Sequence, residues 1–143
     1  MRDIWKDQAI NELELYNARL NSLRSISDQI AELEESLTSI RSPAADSVSV
    51  RGGGGAADEK YLNVLVKCDL LKKNLEEAQR TTRRVYNAMC TLSDAEAKIL
   101  ERRFMDKEEK AVENIAKEKG VDPRTIRNRL NDALKKFTVA MYG

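Results

Sequence analysis

From Asp3 to Ile40 the sequence contains neither glycine nor proline, and apolar residues recur at Leu13, Tyr16, Leu20, Leu23, Ile26, Ile30, Leu33, Leu37 and Ile40. Steps of three and four trace a narrow apolar stripe along one long helix. At ~1.5 Å per residue that helix extends roughly 55 Å. Such a stripe is not stable alone in water, so the helix demands a partner. Helix signals resume at Asp58 and run to about Cys90, with a second stripe at Tyr61, Leu65, Cys68, Leu71, Leu75, Ala78, Thr82, Val85, Met89 and Leu92. The obvious partner is the first helix folded back, which gives a long antiparallel, coiled-coil-like hairpin. Each stripe holds one place where two successive steps are both three, Leu20-Leu23-Ile26 and Leu65-Cys68-Leu71. These lie at similar distances from the intervening glycines, so a hairpin brings them near each other.

Residues 41–57 break the pattern with Ser42-Pro43, small polar residues and four consecutive glycines, Gly52 to Gly55. No phosphate-loop lysine and serine or threonine follow, so the composition reads as a flexible linker. A two-helix hairpin buries little surface for its length. Further apolar residues flank the stripes, Ile4, Trp5, Ile10 and Leu15 on the first helix and Leu62, Val64, Val66 and Leu70 on the second. They suit a second hairpin, so the expectation for residues 1–91 is homodimerisation through a four-helix bundle. The alternative is that they pack against the C-terminal part of the same chain.

At Leu92 the character changes. Ser93 followed by Asp94, Ala95 and Glu96 is a capping box, which starts a helix running to about Met105 with Ile99, Leu100 and Phe104 inward. After a charged connection, a second helix over 110–119 buries Val112, Ile115 and Ala116. Gly120 permits the positive φ of a tight turn, and Asp122-Pro123 starts a third helix, the aspartate capping free N–H groups and the proline sacrificing no donor. Leu92, Ile99, Phe104, Val112, Ile115, Val121, Ile126, Leu130 and Leu134 make the core of a three-helix module over 92–143. The fold class is therefore all-α, a helical hairpin followed by a helix-turn-helix.

In the third helix, Ile126, Leu130, Ala133, Leu134, Phe137 and Met141 share the inward face. Arg124, Thr125, Arg127, Asn128 and Asn131 are left outward in its first turns, where recognition helices meet base edges. Arginine pairs in bidentate fashion with guanine and asparagine with adenine. Arg102, Arg103, Lys107, Lys110, Arg129, Lys135 and Lys136 are placed for phosphates, which fix register without reading sequence. A formal net charge of only +1 does not exclude double-stranded DNA as ligand, because the distribution decides. Residues 93–143 hold 12 basic against 10 acidic side chains, and residues 1–57 hold 6 against 9.

The chain has no histidine, and Cys68 and Cys90 both fall among apolar helical positions as small core residues,. No acid/base pair, activated nucleophile, cofactor motif or metal site can be named, so a binding protein is expected rather than an enzyme. The thiols suit a reducing cytoplasm. Charges at Arg2, Asp3, Lys6 and Asp7 argue against a signal peptide, and no apolar run is long enough for a membrane span.

The last fifty residues, LSDAEAKILERRF, then AVENIAKEKGVDPRTIRNRL, then ALKKF, resemble region four of bacterial sigma factors, the helix-turn-helix that reads the promoter −35 element. The whole layout, with RSPAADSVSVRGGGG interrupting the helical part, is similar to phage-encoded sigma-like regulators of the ArpU type. One departure is Arg102, where sigma factors usually carry an apolar residue. The resemblance implies a phage or prophage transcription regulator acting in a bacterial host. Because sigma region four also binds the flap of RNA polymerase, the resemblance implies as a second reading a polymerase-binding adaptor with weak DNA contact. Terminase small subunits, which also join a helix-turn-helix to oligomerising helices, offer a third reading, although they usually carry the DNA-binding part first.

Overall fold

The computed structural model describes residues 4–40 and 54–143, and these are all helical apart from short connections. Helix α1 spans Ile4–Ile40, α2 Gly54–Cys90, α3 Asp94–Leu100, α4 Ala111–Lys119 and α5 Pro123–Tyr142. A π-helical turn, Glu101–Met105, continues α3. Helix α2 begins at Gly54 rather than Asp58, so residues 54–57 of the expected linker are helical; residues 41–53 lie outside the described residues. No described helix is long and apolar enough to cross a membrane.

The chain divides into two compact units, Met1–Leu20 with Arg80–Gly143, and Asn21–Gln79. In the first, the larger core joins Ala9 and Leu13 of α1 and Val85 and Ala88 of α2 to Leu100, Phe104, Ala133, Leu134, Phe137 and Met141. Leu13, Leu100 and Phe137 are fully buried there. A smaller core of Ile99, Ile115, Ala116 and Ile126 is flanked by Val112, Val121 and Leu130, and Leu130 also borders the larger one. Of the residues expected to form one module core, Leu92, Phe104 and Leu134 belong to the larger core, Ile99, Ile115 and Ile126 to the smaller one, and Val112, Val121 and Leu130 are only half-buried. The module's cover comes partly from the first turns of α1. Trp5 lies with its ring centroid 5.1 Å from that of Tyr142, and Ile10 packs on the larger core. Both flanking apolar residues thus touch the same chain, Ile10 half-buried and Trp5 still 59% exposed. The main chain is tied in as well: Asn17 Nδ2 donates to the Met105 carbonyl at 3.0 Å, and an Arg84 Nη donates to that of Met141 at 3.1 Å.

Two expected inward positions are corrected. Leu20 is 41% exposed; the half-buried position between Tyr16 and Leu23 is Arg19, whose guanidinium pairs with the buried Glu12. Cys90, expected as a small core residue, is exposed, unlike the buried Cys68, because the inward positions at the end of α2 are Thr82, Val85 and Ala88.

The second unit is thin. Among its described residues only Ile30 and Cys68 are buried, and Leu23, Ile26, Leu33, Leu37, Tyr61, Leu65, Leu71 and Leu75 are half-buried. Lys72 of α2 meets Glu34 of α1 at 3.1 Å, which raises the lysine pKa through its hydrogen bond to that carboxylate.

Candidate nucleic-acid interface

The candidate interface centres on the α4–α5 turn. Gly120 has φ +65°, and its N–H and that of Val121 bond back to the carbonyls of Lys117 and Ala116, at 3.4 and 3.0 Å. That double closure ends α4 and lets half-buried Val121 fold onto the smaller core,. A Cβ at Gly120 would meet nothing within 4 Å, so the glycine answers a backbone requirement rather than a shortage of space. Asp122 then accepts from the N–H of Arg124 at 2.8 Å, with Pro123 at the first helical position.

Burial of Ile126, Ala133, Leu134 and Phe137 fixes the rotation of α5. Arg124, Arg127, Asn128 and Asn131 are consequently exposed along one stripe, and Thr125 is half-buried at its flank. Lys135 continues the same stripe one turn on, while Arg129 is exposed on the Thr125 side,. Beside the stripe runs an open cleft of about 570 Å³ lined by Arg103, Lys110, Arg127 and Asn131 together with Glu108 and Glu113. Two base-reading and two phosphate candidates therefore meet at one cleft. Arg127 sits 4.0 Å from Glu113, a loose pair between exposed side chains.

The connection into α4 is conformationally unusual. Lys107 and Lys110 both adopt left-handed backbone, with φ of 53° and 55°, a conformation uncommon for residues other than glycine. Arg103 leans over the Phe104 ring, 5.1 Å from its centroid.

Two phosphate candidates are engaged by carboxylates. Arg102 donates from Nε and Nη2 to Glu108 at 3.1 and 3.0 Å, and from Nη1 and Nη2 to Glu118 at 2.6 and 3.2 Å. With its side chain only 18% exposed, it clasps the π turn to α4. The Glu118 and then the Glu108 carboxylate hold the arginine above its ordinary range, and Arg102 in turn lowers Glu118. The departure from an apolar residue at this position is thus accommodated by two acids at the rim of the core. Lys136 meets Glu96 at 2.7 Å. That contact, with hydrogen bonds from Ser93 in the observed capping box, lowers Glu96 to about 2 and raises Lys136.

Neither a family model, nor a curated protein, nor a solved structure matches the chain. Among the described residues no group of three or more histidine, cysteine or acidic side chains is arranged to hold a metal ion.

Proposed function

We propose that the chain is a sequence-specific DNA-binding transcription regulator of phage or prophage origin, with α4 and α5 as a helix-turn-helix. The N-terminal half of α5 enters the major groove, and α1 and α2 form a hairpin that joins two copies in a bacterial cytoplasm. The observation that carries this reading is the exposed stripe Arg124, Arg127, Asn128 and Asn131 on a helix whose rotation is fixed by a buried opposite face. It starts at a capped N-terminus directly after a glycine turn, the geometry in which the first turns of a recognition helix reach base edges. The cleft that gathers Arg103 and Lys110 beside Arg127 and Asn131 supplies phosphate contacts next to base contacts,. Arg103, Lys107, Lys110, Arg129 and Lys135 are the phosphate-binding set; Arg102 and Lys136 hold the module together through their carboxylates.

The test separates the two roles. Arg127→Ala should weaken binding to the preferred site by ~1–3 kcal/mol and relax its sequence preference. Lys135→Ala should weaken all sequences alike and reduce the salt dependence by about one ion. Fluorescence anisotropy on preferred and scrambled duplexes at several salt concentrations reads both. Identical behaviour of the two variants would contradict the division of labour, and binding to RNA polymerase without sequence preference would favour the adaptor role.

A further inference from the structure

On α2, Leu62, Val66 and Leu70 repeat every four residues and stand 56%, 64% and 58% exposed. Their neighbours Tyr61, Leu65, Cys68 and Leu71 are half-buried or buried, so these three form a separate strip along the helix. Scattered exposed apolar residues are ordinary, but a contiguous row on one helical face marks a contact surface. Glu59 lies three residues before the strip and Lys73 three residues after it, both exposed. Their helical positions fall on the same face as Val66.

We propose that this strip is the contact between two copies of the chain, paired antiparallel about a two-fold axis at Val66. Val66 then meets Val66, Leu62 meets Leu70, and Glu59 of each copy meets Lys73 of the other. The charge order selects this arrangement, because a parallel pairing sets Glu59 against Glu59 and Lys73 against Lys73, and flanking charges decide helix orientation. Opposite charges at equal distances from an apolar centre are what an isologous contact requires of a single surface. Of the flanking residues on α1, Ile10 packs on the larger core and Trp5 touches Tyr142, and Ile4 and Leu15 do not form a contiguous row at helical spacing as Leu62, Val66 and Leu70 do,. The surface deepens, and rests on, the homodimer part of the function proposed above.

Sedimentation equilibrium on the full chain without DNA tests it. The chain should be a dimer, and Glu59→Lys or Lys73→Glu alone should each raise the dimer Kd by about tenfold. The double variant Glu59→Lys/Lys73→Glu should return to within about threefold of the original, because both pairs re-form with signs exchanged. Val66→Glu, which sets two carboxylates face to face on the axis, should raise Kd by roughly a hundredfold or more. Circular dichroism checks that each variant remains helical; all of these positions are exposed. A monomeric wild-type chain overturns the surface, as does a dimer indifferent to Val66→Glu or a double variant no tighter than the singles. DNA binding is read on the same samples: a monomer that still selects a DNA sequence sinks this surface alone, and a dimer with no DNA affinity supports the surface while removing the DNA reading.

Discussion

Gly120 carries a positive φ in open space, so replacing it tests backbone conformation and nothing else. Gly120→Ala should cost about 1–2 kcal/mol in urea unfolding, and Gly120→Asn distinctly less, since asparagine tolerates the left-handed region. Equal costs would mean that the turn does not depend on φ. The Glu96–Lys136 pair makes a pH-dependent claim. Because the Glu96 carboxyl is lowered from 4.5 to about 2, its contribution is present above the unfolded value and lost as pH falls through the folded one. The raised Lys136 works in the opposite sense, contributing below about 10.5 and losing that contribution as pH rises through its folded value,. Glu96→Gln should therefore lower stability at neutral pH, with the gap to wild type closing between pH 4.5 and about 2; a gap that does not narrow there would contradict the pairing. The caps and the glycine turn were legible in the sequence because each is set by residues within a few positions. The Arg102 clasp was not, because Glu108 and Glu118 reach it only after the π turn and α4 have folded. The same limit explains Leu20: an apolar stripe does not reveal that Arg19 will fill the inward position by pairing with Glu12.

Helix α5 has two faces with different tasks. Its outward stripe is the proposed reading surface, and its inward face shares a core with Leu13 of α1 and Val85 of α2. The orientation of this stripe consequently depends on a residue, Leu13, more than a hundred positions away in sequence. Leu13 is fully buried, whereas Leu15, two positions on, is 38% exposed. Leu13→Ala should cost ~2–5 kcal/mol by denaturant unfolding, and Leu15→Ala should stay within about 1 kcal/mol. Comparable losses would mean that α1 does not cover the C-terminal helices as described. The sequence left two destinations open for Trp5 and Ile10, another copy or the C-terminal helices, because periodicity identifies an apolar face without naming the surface that covers it. Packing on the larger core decides in favour of the same chain for Ile10, and Trp5 touches Tyr142 with 59% of its surface still exposed.

Across the full chain, nearly balanced charge is compatible with a DNA ligand because the basic side chains that matter are gathered on one side of α5 and in the preceding connection. Of the four ionisable groups from Arg124 to Asp132 and the two lysines beyond, only Asp132 is acidic, and exposed Arg103 and Lys110 line the cleft beside them. The strip on α2 would place two such reading surfaces in one assembly, and two-fold symmetry in the protein calls for two half-sites in the DNA. The most direct measurement is selection of bound duplexes from a random library by the purified chain at near-physiological salt. The proposed function predicts an enriched motif of two half-sites about 10 base pairs apart or a multiple of that, lost on Arg127→Ala. A library that emerges without enrichment would contradict it.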